Sequence, residues 1–558
     1  MGTMNGFYSL TSESAEDKIS FDGVIYNLEE LKEELKGKGT FFVRGDAAEV
    51  CLKGYQRYGE GIFKKINGAF AAVIWNREQR KVILCRDKIG VKPLFYSVKS
   101  HKIFYGSKIQ GILENAEIQP VVKKAGLCEI FALGPAKSRT TNIFEGICEV
   151  LPAQYVTFKE GKIQKTIYWK LESHEHEDSF EKTVEKTAWL IEDAVKRQMK
   201  ADTSISTFLS GGVDSSLVTA ICAKELEKKG QQLDTFSFDF EGNQKYFKAN
   251  DFQPSQDRPW VEKMVLYAGT NHRYLQCDNR DLVKYLYKAV DAADLPCMAD
   301  VEGSMLYFCE QTVKDSKVVL TGEGADEIFG GYPWFYKKEA FWCRAFPWSS
   351  DMSVRQTLLS DSFIESLPME EYAAEAYENT IRETPVLPGE QGIEKRRREI
   401  AYLNFKWFMG TLLDRMDRTS RFCGLDARVP FADDRIVQYL WNVPWDMKYK
   451  NNTVKGLLRY AGEGKLPKEV LWRRKSPYPK TYNPFYEKML GEELKEVLTQ
   501  PNAPVKQFLD KEKVRKFLDR PSDYGKPWYG QLMAGPQMLA YMLQVNYWLE
   551  KYKIKIKE

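Results

Sequence analysis

Histidine is nearly missing from this chain, with four residues in 558. Two of them, His174 and His176, sit in a polar stretch, so a histidine-built metal centre is not expected. The ten cysteines are scattered and form no C-x-x-C pair. That excludes a zinc ribbon and a disulfide framework and points to reduced thiols in a cytoplasmic protein. The longest apolar run, residues 69–75, is far too short to cross a bilayer. The opening M-G-T-M-N-G-F-Y-S-L lacks the basic-then-apolar order of a signal peptide. An excess of one charge is also absent: Lys+Arg is 82 against Asp+Glu 78, a net charge of +4. No global field therefore recommends a nucleic acid or an anionic membrane as partner. No G-x-x-x-x-G-K-[ST] loop and no internal repeat occur. What is present, 43% hydrophobic and 13% aromatic residues, is a folded composition. Its length implies roughly two to four domains of about 100–200 residues.

Residues 1–170 carry short strand-like runs at 40–43, 69–75, 81–85, 94–98 and 155–158, with helical stretches at 28–35 and 47–58. This is an α+β pattern of antiparallel flavour. Residues 172–179 are uniformly hydrophilic and mark a linker, bounded as 171–180. Ser179 is placed to cap a helix in which Phe180, Val184, Ala188, Ile191, Val195 and Met199 recur at three-to-four spacing. A strand at 204–209, a helix at 215–228 and strands at 234–240 and 317–320 follow. That order predicts an α/β unit, 181–558, with a parallel sheet and helical crossovers. From about residue 353 to 550 the pattern is mostly helical.

Ser210-Gly211-Gly212-Val213-Asp214-Ser215-Ser216 follows an apolar strand and opens a helix. The glycines allow backbone to approach an anion, and the hydroxyls and first N–H groups of the helix would face it. An aspartate there suits Mg²⁺ on a polyphosphate; the alternative is an ordinary strand–turn–helix connection. Thr321-Gly322-Glu323-Gly324-Ala325-Asp326-Glu327 puts three carboxylates in five residues after another strand. They repel unless a cation or amine sits among them; the alternative is a solvated acidic turn. In Arg473-Arg474-Lys475-Ser476-Pro477, the arginines read as solvated surface, while Lys475, stiffened by Pro477 and Pro479, is suited to stabilising phosphate charge.

The loop at Ser210 resembles that of the ATP pyrophosphatases. With Asp417-Arg418-Thr419-Ser420 and Ala427-Arg428-Val429-Pro430-Phe431-Ala432-Asp433, it makes nearly the whole chain resemble the glutamine-dependent asparagine synthetases. The resemblance implies an α+β sandwich of Ntn-hydrolase type. An α/β ATP-pyrophosphatase domain with a helical C-terminal part would follow it. It also implies an AMP- and pyrophosphate-forming amide ligase using ATP and Mg²⁺. Carried over, Ser210, Gly211, Gly212, Asp214, Ser215 and Ser216 hold the phosphates, with Asp214 and Asp326 on Mg²⁺. Leu209, Phe236, Ser237, Phe238, Thr321 and Gly322 line the adenosine pocket. Glu323 handles protons as the amine attacks, Lys475 binds pyrophosphate, and Arg415 recognises the acid substrate.

The N-terminal part resembles the family's glutaminase domain. Phe21-Asp22-Gly23-Val24-Ile25-Tyr26-Asn27 stands for its N-G-E-I-Y-N, and Asn67-Gly68-Ala69-Phe70-Ala71 and the run from Arg86 to Tyr96 match further landmarks. The departures are chemical. The family's nucleophilic Cys follows the initiator Met, whereas Gly2 stands here and no Cys precedes Cys51. R-G-P-D is absent, Asn has become Asp22, Glu has become Val24, and S-D-T-E reads Gly45-Asp46-Ala47-Ala48-Glu49. Ser9, Thr11 and Ser12 have no visible activating group. Without a thiolate there is no thioester route to ammonia. The expectation is a glutaminase-derived scaffold that packs on the synthetase part and mediates a homodimer.

The nitrogen source stays open at this level. Ammonia with aspartate, free or delivered by a separate donor, would give asparagine. Another acid or amine would give a specialised amide. Intramolecular attack would resemble the β-lactam synthetases, but those carry Tyr where Glu323 stands. A non-catalytic relative is the remaining alternative, against which Asp214, Glu323, Asp326 and Lys475 together argue. Arg421 and Phe422 replace the family's Met-Ala, so Arg421 is expected either beside the substrate pocket or in solvent.

Overall fold

The structure is a computed structural model that describes residues 4–9, 16–249, 253–519 and 527–557. Gly2, Thr11, Ser12 and the side chain of Ser9 lie outside them. The N-terminal part contains β1 (Asn5–Ser9), β2 (Lys18–Ile25), β3 (Gly68–Asn76), β4 (Lys81–Arg86), β5 (Phe95–Lys99), β6 (Lys102–Gly106), β7 (Val121–Val122), β8 (Ile147–Glu149), β9 (Gln154–Lys159) and β10 (Lys162–Ile167). Two antiparallel sheets result, ordered β10-β9-β4-β3-β2 and β1-β6-β5-β8. Strand β3 shows why they stack. Its sequence is apolar at almost every position, so both of its faces need cover. Phe70, Ala72 and Ile74 pack with Leu31, Leu35, Val50 and Tyr55 of the helices Leu28–Lys36 and Ala47–Tyr58. Ala71, Val73 and Trp75 pack against Tyr96, Ile103 and Tyr105 of the second sheet.

Residues 40–43, expected as a strand, are irregular, with Phe41 89% and Val43 95% exposed. The Glu49 carboxylate accepts the N–H groups of Val43, Arg44 and Gly45 at 2.7–2.8 Å, so no neighbouring strand receives them. Asp46 caps the following helix by accepting from the Glu49 N–H at 2.8 Å.

After β10, residues 168–179 have no regular structure. They are nevertheless held along the helix Asp434–Asn442, where Asn442 accepts the His174 N–H at 2.8 Å and Gln438 accepts that of Glu172 at 3.1 Å. Ser179 caps the helix Phe180–Gln198 as its position demanded. A parallel sheet follows, made of β11 (Ile205–Phe208), β12 (Asp234–Phe240), β13 (Asn271–Cys277), β14 (Val318–Leu320) and β15 (Asp426–Arg428), in the order β13-β12-β11-β14-β15. Helices cover both faces. Leu320 packs with Val218 and Ile221 on one side, and Val319 with Met305 and Leu413 on the other.

The two parts are bound by buried charge. Lys92 Nζ donates to Asp417 Oδ1 at 2.7 Å, Lys88 Nζ to Asp434 Oδ2 at 2.8 Å, and Asn67 Nδ2 to Asp434 Oδ1 at 2.6 Å. Arg421, only 8% exposed, spans from Asp417 to Asp22 across the boundary. It is thus neither in solvent nor beside the substrate pocket, because the carboxylate at position 22 draws it into the interface. Burial would raise the Asp417 carboxyl, but Arg421 and Lys92 outweigh it and hold it at about 2. One hydrophobic cluster joins Phe95, Phe104 and Phe144 to Leu286, Val290 and Trp548. The last strand, β16 (Lys555–Ile556), returns to pair in parallel with β7.

Candidate active site

The chain turns in opposite directions after β11 and β14, since β12 and β13 lie to one side and β15 to the other. The C-terminal ends of those two strands therefore open a crevice, the usual ligand position of a doubly wound sheet. The Ser210 loop leaves β11 and the Thr321 loop leaves β14, although they are more than a hundred residues apart in sequence. A cavity of about 250 Å³ lies there. Leu209, Ser210, Asp214, Ser215, Phe236, Ser237, Phe238, Thr321, Gly322, Glu323, Asp326, Arg415 and Lys475 all line it. Gly211, Gly212 and Ser216 do not.

Gly211 has φ +69°, and a Cβ on it would lie 2.6 Å from the Cβ of Trp260. Gly212 precedes the helix Val213–Glu227, which points its N-terminus into the crevice. Ser215 Oγ accepts the Ser210 N–H at 3.1 Å and closes the loop. A Cβ at Gly322 would stand 2.5 Å from the Ser215 nitrogen, so glycine alone lets the two loops meet. Arg473, read as surface, is buried: it donates to the Ser210 carbonyl at 2.9 Å, pairs with Asp257 and lies over the Trp260 ring. It braces the loop from behind. Arg474 is exposed as expected.

The carboxylates of the Thr321 loop each have an answering group. Asp326 pairs with Lys475 and, at 2.8 Å, with Lys455. Lys455 Nζ also donates to both oxygens of Asp214, at 2.7 and 2.6 Å. Glu323 Oε1 pairs with Arg415, while its Oε2 is buried without a partner. Glu327 accepts from the Tyr332 hydroxyl, and burial together with the Asp326 charge pushes it up to about 7. Burial works to raise Asp326 too, but the two ammonium groups prevail and hold it well below the usual range. Burial raises Glu323 against the pull of Arg415.

Lys455 is the member of this charged cluster that sequence reasoning missed. It is 2% exposed, with φ +57°, immediately before Gly456 and the apolar helix Gly456–Ala461. A lysine opening an apolar helix was the available signal. Among the residues expected to line an adenosine pocket, Ser237 Oγ shares a hydrogen bond of 2.9 Å with His272 Nε2, and Phe238 stacks on Phe308 at 4.2 Å.

Residues 186–550 match the asparagine synthase family, and residues 3–169 match a glutamine amidotransferase domain. The class is that of a two-part enzyme, an amidotransferase-type domain in front of a carbon–nitrogen ligase. Asparagine synthetase [glutamine-hydrolyzing] 3 of Bacillus subtilis is 45% identical over 97% of this chain and 88% of its own length. Asparagine synthetase [glutamine-hydrolyzing] 1 of the same organism is 27% identical over 92% of this chain and 83% of its own. Amidase chry2 of Gibberella zeae is 24% identical over 89% and 82%. The chain belongs to the asparagine synthetase family, as a ligase of the type that forms AMP and pyrophosphate.

Proposed function

We propose that this chain adenylates aspartate or a related carboxylate with ATP and passes the acyl group to ammonia or another amine, without a glutaminase of its own. One observation carries the reading: the lysine-bridged carboxylates Asp214 and Asp326 share a cavity with the Glu323–Arg415 pair. The first set suits a polyphosphate, the second an acid substrate and its nitrogen nucleophile. Lys455 and Lys475 exchange their carboxylates for phosphate oxygens and stabilise the charge on departing pyrophosphate. Arg415 exchanges Glu323 for the substrate carboxylate. Glu323, released, takes the proton of the attacking nitrogen. Asp214 and Asp326 already share one cation, the Lys455 ammonium, and two carboxylates with phosphate oxygens are an ordinary Mg²⁺ donor set. Mg²⁺ held by them would neutralise phosphate charge.

The absence of glutaminase chemistry is supported within the N-terminal part. Asp22, in the segment corresponding to the glutamine-binding one, is spent on Arg421. Cys51 lies in the core, where burial pushes its thiol up to about 12, far from a working thiolate. The Bacillus relatives are named as glutamine-hydrolyzing, which makes the nitrogen donor the deciding test. With aspartate, ATP and Mg²⁺, ammonium should support amide formation with equimolar AMP, and glutamine should leave it at background. Amide nitrogen labelled from glutamine would refute the second half of the proposal. No AMP with any acid and amine in a mass-spectrometric screen would refute the first.

A further inference from the structure

A second cavity, of about 90 Å³, adjoins the first, and Glu327 lines both. Its walls are mainly apolar and aromatic, among them Phe335, Phe405, Leu440, Trp441 and Trp445. Its charged groups are Glu327, Glu390, Glu394, Arg397, Arg398 and Lys448. Five of these six are paired: Arg398 Nε with Glu390 Oε2 at 2.7 Å, Arg397 with Glu394 at 2.7 Å, and Glu327 with Tyr332. The Lys448 ammonium has neither a carboxylate nor a hydrogen-bond acceptor among the described residues; burial, aided by the Arg398 guanidinium, lowers it to about 7. Arg397, though its Nη1 pairs with Glu394, has its Nε buried without a partner among the described residues. Lys448 is only half-buried, and the desolvation that weakens its hold on a proton is what an anion seated beside it would reverse. Nothing in amide synthesis at the first cavity uses it.

We propose that this second cavity binds a small carboxylate with an apolar or aromatic body, its charge taken by Lys448 and its body by Trp441 and Trp445, and that occupancy is transmitted to Asp326. A carboxylate fits better than a phosphate, because one cation is unpaired and the walls are apolar. The transmission has a physical route. The Trp445 ring lies so close to Gly330 that a Cβ there would collide with it. The next residue, Gly331, lies closer still to the Asp326 carboxylate, and its N–H donates to the Asp326 carbonyl at 2.8 Å. A ligand that moves Trp445 therefore moves the loop against which Asp326 rests.

The test uses the full chain and calorimetric titration with benzoate, a measurement that needs no turnover and is independent of the function proposed above. Benzoate should bind saturably. Benzamide, the uncharged analogue, and the variant Lys448→Met should each weaken binding at least tenfold, while Lys448→Arg should stay within about threefold. Inorganic phosphate should not displace benzoate. Saturating benzoate should shift the Kd for ATP at least twofold in the wild type and not in Lys448→Met, whose ATP affinity without benzoate reports that it is folded. No binding of benzoate, equal binding by wild type and Lys448→Met, or displacement by phosphate would overturn the site. Binding without any change in ATP affinity would overturn the transmission.

Discussion

Glu323 offers one carboxylate oxygen to Arg415 and keeps the other buried and unpaired. A proton acceptor in that position works only when ionised, and burial raises the pH needed to ionise it. The rate of amide formation should therefore rise with pH through a value above that of an ordinary glutamate and fall on acidification. In Glu323→Gln that limb should vanish with a loss of about 10²-fold or more in kcat, while the Kd for ATP changes little; steady-state rates and calorimetry read the two quantities. Acidic loops are usually solvated, yet this one has the cations its repelling carboxylates called for: Lys455 and Lys475 beside Asp326 and Arg415 beside Glu323. The cations themselves were only partly legible. Lys475 stands in a recognisable basic run, but Lys455 meets Asp214 across 241 residues of chain, and its place at the start of an apolar helix does not say which acid it answers. Arg473 misleads for the converse reason: a basic run is normally solvated, and only the fold places the Ser210 carbonyl and Asp257 within its reach.

Strands and helices whose periodicity reflects burial were legible nearly to the residue. The helix Ala47–Tyr58 and the strand β12 span the ranges expected for them. Strand β13 was not visible, because it is an edge strand whose sequence N-H-R-Y-L-Q-C is largely exposed and polar. Residues 40–43 failed in the opposite sense, being apolar and β-prone in a place where Glu49 takes their N–H groups. The two loops of the site meet where Gly322 lies against the first turn of Val213–Glu227. Gly322→Ala places a Cβ against backbone, which cannot rotate away, so a loss of about 1–3 kcal/mol is expected together with a raised KM for ATP. Denaturant unfolding and initial rates check the two. A variant as stable and active as the parent would show that the loops do not need this contact.

Across the whole molecule, the landmarks that look like glutaminase motifs serve as fasteners. Asn67, Lys88 and Lys92 all reach carboxylates of the synthetase part. Arg421 and Asp22 complete the set, two departures from the family pattern that answer each other. Arg421→Met leaves Asp22 buried with the Ser107 hydroxyl, at 3.2 Å, as its one remaining hydrogen-bond donor among the described residues and the Lys92 ammonium as the nearby cation, and should destabilise by about 3–5 kcal/mol. Asp22→Asn combined with it should recover part of that loss, since no buried charge is then left alone; urea unfolding of the singles and the double measures the coupling. Additive losses would mean that the two side chains act independently.

The pairing of β16 with β7 and the cluster joining Phe104 to Trp548 tie the C-terminal end of the chain to the N-terminal part. The Ser210 loop, the acidic loop, the parallel sheet that presents them and the family to which they belong were all legible along the chain, because each depends on residues or elements close in sequence. Which lysines answer the acids, where Arg421 is buried and how the two parts are joined came only with the fold. Coulomb attraction and burial act through space, and only folding brings such distant partners within a few ångströms.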